Sequence, residues 1–213
     1  MNVLIIYAHP EPKSLNGTLK NKAVEVLSKE GHNVKVSDLY AMKFKAALDG
    51  DDFTDRVDKD KLVIPKEQMH AYDNGTLRSD IEEETEKVKW ADLLIFQFPL
   101  WWSSCPAIMK GWIERVFLQG FVVNLYDNKL YDTGHLAGKK ALISSTVGSS
   151  EELYTRYGLH GDLDVHLMTL WHATFEFTGM EVLDHFLVYK ASVMNEERVK
   201  SELERFETYL KAL

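Results

Sequence analysis

Residues 3–8 read VLIIYA, and this stretch decides the fold class. Its side chains are apolar on both faces, which is typical of a strand buried inside a parallel sheet. Apolar residues then recur at helical spacing, at Leu15, Leu19, Ala23 and Val26. A second strand is predicted directly afterwards, over residues 34–39. Residues 3–39 therefore predict one βαβ unit with a right-handed crossover.

The same alternation of strands and helices continues to the end of the chain. Three further strands are predicted, each after a stretch of helical periodicity, at residues 93–98, 141–145 and 186–189. Five strands that alternate with five helices indicate an α/β sandwich around a parallel sheet. Residues 40–78 interrupt the rhythm with many aspartates and few apolar residues. We interpret them as a polar insertion in a single domain that covers residues 1–213.

Composition excludes several classes of function. The 33 acidic residues outnumber the 25 basic ones and give a formal net charge of −8, which disfavours a nucleic acid as partner. The single cysteine, Cys105, excludes an internal disulfide and a thiolate zinc site. No apolar run approaches the length of a membrane span or a signal peptide. We therefore expect a cytoplasmic protein that does not insert into a membrane.

Ligands of such sheets bind at the carboxyl ends of the strands, where the winding reverses. The first candidate loop there supplies His9, Lys13, Ser14 and Asn16 just before a predicted helix. Backbone N–H groups at a helix N-terminus attract a phosphate group, but Ser14 also suits a plain N-cap. Both interpretations remain open. No G-x-G-x-x-G follows the first strand, which disfavours an ordinary Rossmann dinucleotide site.

The second candidate loop, residues 99–105, contains two adjacent tryptophans. Trp101 and Trp102 cannot both point into the core from a strand-to-helix loop. At least one is expected to lie against a ligand or another subunit, with plain packing as the alternative. Cys105 adds the alternative of a reactive thiol at a helix start.

The third candidate loop, residues 146–161, is small, polar and glycine-containing and then supplies Tyr154 and His160. Small residues let backbone N–H groups approach a planar ring, and Tyr and His can donate hydrogen bonds to negative charge that forms on it. The alternative for His160 is a helix cap. His166 and His172 are six residues apart and lack the i,i+4 spacing of a metal-binding pair. We interpret both as ordinary helix residues and predict no metal site.

Four stretches together resemble the NAD(P)H:quinone oxidoreductase (DT-diaphorase-like) family of flavodoxin-like flavoproteins: residues 7–10 (YAHP), 97–102 (QFPLWW), 106–117 (PAIMKGWIERVF) and 158–162 (GLHGD). The resemblance covers nearly the whole chain. It implies a flavodoxin-like three-layer sandwich with a five-stranded parallel sheet, a bound FAD with FMN as the alternative, and a homodimer with its active site at the subunit interface. It also implies two-electron transfer of hydride from NAD(P)H to quinones or similar flat acceptors by a ping-pong mechanism.

The resemblance also implies roles for individual residues. The positions that match the family's FAD diphosphate contacts are His9, Ser14, Leu15 and Asn16. The positions that match its isoalloxazine contacts are Pro99, Leu100, Trp101 and Trp102. The positions that match its contacts near the flavin pyrimidine edge are Thr146, Val147, Gly148, Ser149 and Tyr154. The catalytic pair that stabilises the reduced, anionic flavin matches Tyr154 and His160.

Three other functions are compatible with the sequence. They are an FMN-dependent azoreductase or nitroreductase-like enzyme, an ancillary regulatory subunit of a potassium-efflux system, and a one-electron carrier like flavodoxin. The acidic charge fits the carrier. Tyr154, His160 and the paired tryptophans instead favour a pocket for small substrates.

Overall fold

The central sheet of the computed structural model, which describes residues 1–213, is parallel throughout. Its strands are β1 (Asn2–Tyr7), β2 (Asn33–Asp38), β3 (Leu93–Pro99), β4 (Lys140–Thr146), β5 (Glu181–Val182) and β6 (Phe186–Val188). They follow the order β2-β1-β3-β4-β5, and β6 also pairs with β4. Because β5 and β6 pair with successive parts of β4, they share the fifth position of the sheet. The predicted five-stranded parallel sheet is confirmed, with its last strand interrupted at residues 183–185.

Helices cover both faces of this sheet, which explains why the strands read as continuous apolar runs. The helices are α1 (Leu15–Lys29), α2 (Ile64–Asn74), α3 (Ser79–Trp90), α4 (Ala107–Val116), α5 (Leu163–Leu170) and α6 (Glu196–Lys211). In β1, Val3 and Ile5 pack towards α1 and α6, whereas Leu4 and Ile6 pack towards α3, α4 and α5. Each fully buried side chain of this kind contributes about 1.5–3 kcal/mol of transfer free energy. None of the helices is long and apolar enough to cross a membrane.

The last helix before the fifth strand is shorter than its apolar pattern predicts. The pattern extends to about Gly179, but α5 ends at Leu170. A π-helical turn, Trp171–Phe175, and a 3-10 turn, Glu176–Thr178, complete the segment. Gly179 ends it with a φ of 96°, a left-handed conformation that glycine adopts without strain.

The acidic segment (residues 40–78) is attached to the domain by a buried ion pair. Asp52 is fully buried, and its carboxylate accepts hydrogen bonds from Arg115 Nε at 3.1 Å and Arg115 Nη2 at 2.8 Å. Arg115, also fully buried, donates to the Lys45 carbonyl at 3.0 Å and pairs with Asp80 at 2.7 Å. Loss of one partner of a buried pair costs about 3–5 kcal/mol. The pair therefore holds the acidic segment firmly against α4.

Candidate functional site

The three candidate loops meet in one cleft at the carboxyl ends of β1, β3 and β4. The cleft has a volume of about 300 Å³. Nine of the residues singled out in the sequence line it: His9, Ser14, Leu15, Asn16, Pro99, Leu100, Trp101, Thr146 and Gly148. Two further lining residues, Ala191 and Ser192, follow β6 and were not anticipated. Their position after the last strand is the signal that points to them, because all parallel strands end at the same edge of the sheet.

The first wall of the cleft is the N-terminus of α1. Ser14 is its N-cap, because Ser14 Oγ accepts the Gly17 N–H at 3.1 Å and the Ser14 carbonyl accepts the Thr18 N–H at 2.9 Å. The N–H groups of Leu15 and Asn16 are left without a backbone partner. They carry the positive end of the helix dipole at the cleft. The two interpretations of Ser14 are therefore compatible, since the cap leaves two donors free for an anion.

A chain of buried hydrogen bonds connects the three loops beneath the cleft. Gln97 Nε2 donates to Asn16 Oδ1 at 2.8 Å, and Asn16 Nδ2 donates to Thr146 Oγ1 at 2.7 Å. All three residues are buried, and Gln97 Oε1 accepts no hydrogen bond. Because Thr146 Oγ1 is the acceptor in this chain, its own proton remains available as a donor. The Asn16 side chain is thus engaged inside the protein, while its backbone N–H belongs to the cleft.

The second wall is a tight turn over residues 101–104. The backbone N–H and carbonyl groups of Trp101 and Ser104 pair at 2.9 and 3.1 Å. Trp102 and Ser103, at the centre of the turn, both have positive φ values, 50° and 60°. Such left-handed conformations cost about 1–2 kcal/mol each for residues other than glycine. Trp101 lines the cleft, with its ring 5.7 Å from that of His9, whereas Trp102 is fully exposed outside it.

The third wall is tied to the chain that follows β6. The Val147 N–H donates to the Val188 carbonyl at 2.8 Å, and Val147 is fully buried, so its side chain does not reach the cleft. The Ser149 carbonyl accepts from the Lys190 N–H at 2.9 Å, and Ser149 does not line the cleft either. A Cβ atom added to Gly148 would meet nothing within 4 Å. A side chain at Gly148, which lines the cleft, would therefore extend into open space.

The Tyr154 and His160 rings lie together beyond the residues that line the cleft. Their ring centroids are 4.9 Å apart, and the His160 N–H donates to the Leu153 carbonyl at 2.9 Å. Tyr189, at the end of the last strand, adds a third ring 6.4 Å from Tyr154. Burial raises the pKa of Tyr189, and the carboxylates of Glu151 and Asp162 raise it further. The Tyr189 hydroxyl is therefore protonated at neutral pH.

Cys105 is not a reactive nucleophile. Its side chain is buried in the core, and burial raises the pKa of the thiol to about 11. The thiolate, which is the nucleophilic form, is therefore scarce at neutral pH. No group of three or more histidine, cysteine, aspartate or glutamate side chains is arranged to hold a metal ion.

Comparison with known proteins places this cleft in context. A family model described as the flavodoxin-like fold matches residues 1–210. The human ribosyldihydronicotinamide dehydrogenase [quinone] is 45% identical over 199 residues, which cover 93% of this chain and 85% of that protein. The guinea pig (Cavia porcellus) NAD(P)H dehydrogenase [quinone] 1 is 45% identical over 187 residues, 87% of this chain and 67% of that protein. A crystal structure of a candidate quinone reductase from Klebsiella pneumoniae superposes with a TM-score of 0.95 at 40% identity, covering 99% of this chain and 84% of the other.

Proposed function

This chain belongs to the flavodoxin-like quinone oxidoreductases, and from that membership we propose that it is a flavin-dependent, two-electron NAD(P)H:quinone reductase. The observation that carries the proposal is the cleft itself, in which residues from three separate loops converge at the carboxyl ends of the strands. The flavin, when bound, would accept hydride from NAD(P)H and pass it to a quinone or another flat acceptor. The two substrates would use the same face in turn, which gives ping-pong kinetics.

The residues of the cleft suit the parts of a flavin nucleotide. The free N–H groups of Leu15 and Asn16 at the start of α1 suit a phosphate group. The apolar side chains of Pro99, Leu100 and Trp101 suit one face of the ring. The Thr146 hydroxyl can donate a hydrogen bond to a carbonyl or nitrogen at the edge of the ring. Gly148 has no side chain that would block the approach of that edge.

Tyr154 and His160 are the proposed catalytic pair. A bound flavin that accepted hydride would gain negative charge at its pyrimidine edge, and hydrogen-bond donors held there in advance would lower the barrier to forming that charge. The Tyr154 hydroxyl and the His160 ring can both donate, and their rings are already in contact. The third loop thereby supplies both a backbone surface for the ring and the donors for its charge.

FAD rather than FMN is supported by the space beyond the cleft. From Ala191 and Ser192 the chain leads back through Lys190 to a second cavity of about 600 Å³. Cations and carboxylates line it together, including Lys190, Arg198, Arg205, Glu151, Glu152 and Glu202. Guanidinium and ammonium groups can pair with a phosphate or lie against the face of a purine, and carboxylates can accept hydrogen bonds from ribose hydroxyls. Mass spectrometry of the released cofactor tests this assignment, and FMN as the sole flavin would overturn it.

A homodimer is supported by the shape of the site. A cleft of about 300 Å³ lies at the lower limit for small-molecule pockets, which span about 300–1,000 Å³. Trp102, Tyr157 and Leu159 are large apolar side chains at the same end of the molecule and are almost fully exposed. A second subunit over this surface would bury them and complete the cleft. Sedimentation equilibrium tests the dimer, and Trp102→Ala is expected to weaken it.

The proposed activity is tested first by the absorption spectrum of the purified protein. We expect the absorption bands of a bound flavin. In the absence of oxygen, NAD(P)H should bleach these bands and a quinone should restore them. A colourless protein that takes up no added flavin would exclude the enzyme and favour a regulatory subunit. Bleaching that only azo dyes reverse would favour the azoreductase instead. Parallel double-reciprocal plots with NAD(P)H and quinone would support the ping-pong order.

A further inference from the structure

His166 lies in the first turn of α5 and has no part in the function proposed above. Its Nε2 atom is 2.6 Å from the backbone carbonyl oxygen of His160, and its ring meets the Tyr154 ring edge-on at a centroid distance of 6.2 Å. We propose that His166 is a positioning residue that holds His160 against Tyr154. The proposal rests on the catalytic role proposed for that pair.

The turn that carries His160 depends on few contacts. His160 is exposed, and the neighbouring Gly161 has a φ of 75°. Three backbone hydrogen bonds close the segment upon itself: His160 to Leu153, Gly158 to Thr155, and Gly161 to Gly158. The His166 ring supplies the one side-chain hydrogen bond that joins this turn to the rigid helix α5. Without that bond, the position of His160 relative to Tyr154 would depend on the backbone hydrogen bonds of the loop and on the contacts between the rings.

The geometry requires a donor at this position. A carbonyl oxygen only accepts, so His166 Nε2 must carry a proton. One neutral tautomer of histidine carries that proton on Nε2, and so does the charged ring. In glutamine, the side-chain nitrogen is separated from Cα by the same number of bonds as Nε2 of histidine. Glutamine can thus supply the N–H donor without the ring. Phenylalanine keeps a ring but has no donor, and leucine fills only part of the ring's volume and also has no donor.

The experiment compares three substitutions with a matched control. His166→Phe and His166→Leu remove the donor, and His166→Gln keeps it. His172→Phe is the control, because His172 lies in the same helical segment, pairs with Glu176 at 2.6 Å and contacts neither Tyr154 nor His160. Hydrogen exchange of the peptide over residues 153–161 is measured on the flavin-free protein. The rate of flavin bleaching by saturating NAD(P)H, its KM and the flavin Kd are measured on the loaded protein.

We expect His166→Phe and His166→Leu to speed exchange over residues 153–161 and to slow bleaching about 2- to 10-fold, the range for one hydrogen bond of ordinary net strength. The KM for NAD(P)H and the flavin Kd should stay within about twofold, a limit that we set from the same range. His166→Gln should restore both the exchange and the rate, and His172→Phe should match the wild type.

Three results would overturn the proposal. Donorless variants that match the wild type in exchange and rate would do so while leaving the proposed function intact. A glutamine variant as slow as the phenylalanine variant would show that packing, not donation, matters at residue 166. If NAD(P)H does not bleach the wild type itself, the proposed function fails. Hydrogen exchange in the flavin-free variants then tests the positioning role by itself. Unchanged protection of residues 153–161 refutes that role, and lost protection supports it.

Discussion

Substitution of Asn16 by leucine tests whether the buried hydrogen-bond chain unites the three loops of the cleft. The change keeps most of the side-chain volume and removes both hydrogen-bonding groups. It deletes the bond from Gln97 at 2.8 Å and the bond to Thr146 at 2.7 Å, and both partner residues are buried in the intact protein. A buried polar atom left unsatisfied costs about 1–3 kcal/mol.

The expected loss in the free energy of unfolding is about 2–4 kcal/mol for the two atoms, because Thr146 borders the cleft and regains part of its solvation. For a chain of this length, each kcal/mol lowers Tm by about 2–4 °C, so we expect a decrease of about 4–16 °C. Flavin affinity should also fall about tenfold, since the Thr146 hydroxyl loses the group that orients it.

Thermal unfolding followed by circular dichroism measures the first effect, and flavin titration measures the second. Asn33→Leu is the control, because Asn33 is exposed and its side chain donates a single hydrogen bond, to Asn2 at 3.0 Å. It should change stability by less than about 0.5 kcal/mol. The reasoning is refuted if Asn16→Leu unfolds at the same temperature as the control and binds flavin as the wild type does.

Three further outcomes are expected. Burial opposes ionisation of Asp52, but hydrogen bonds from Arg115 and Lys45 outweigh it and lower the pKa of that carboxyl. The stabilisation by the Asp52 carboxylate is therefore present above about pH 4 and is lost as pH falls through the lowered pKa. In urea unfolding, Asp52→Asn should lower the free energy of unfolding by about 3 kcal/mol at pH 7, and that free energy should then fall less steeply below pH 4 than in the wild type. A thiol reagent at pH 8 should leave Cys105 unmodified until the protein unfolds, because the thiol is buried with a pKa of about 11. Gly148→Val should leave Tm unchanged, since its Cβ meets open space, and weaken flavin uptake about tenfold or more; undiminished uptake would contradict the proposed place of the ring.

The sheet could be predicted because its information is local. Residues 3–8 and 93–98 are apolar on both faces, and only a strand covered on both sides buries such a run. The position of the cleft followed from the rule that ligands bind at the carboxyl ends of parallel strands. Gln97 is a further local signal, because one amide within an otherwise apolar strand indicates a buried polar contact.

The remaining features depend on partners that are distant in the sequence. Asp52 belongs to a stretch whose composition is typical of a solvated surface, yet it is buried because Arg115 lies against it. The turn at Trp102 could not be anticipated, since positive φ values are usual for glycine and asparagine rather than tryptophan and serine. Ala191 and Ser192 follow the last strand, and hydrogen bonds to the third loop hold them at the cleft. The Ala191 N–H donates to the Val147 carbonyl at 3.0 Å, and Ser192 Oγ donates to the Gly148 carbonyl at 3.2 Å.

The ion pair between Asp52 and Arg115 also sets an order of events during synthesis. The two residues are separated by 63 positions, so the acidic segment leaves the ribosome several seconds before its partner does, at about 5–20 residues per second. During that interval Arg115 is not available to Asp52, and the Asp52 carboxylate stays hydrated, because an unpaired carboxylate is costly to bury. Docking of α4 ends this interval, because it brings the Arg115 guanidinium to the Asp52 carboxylate.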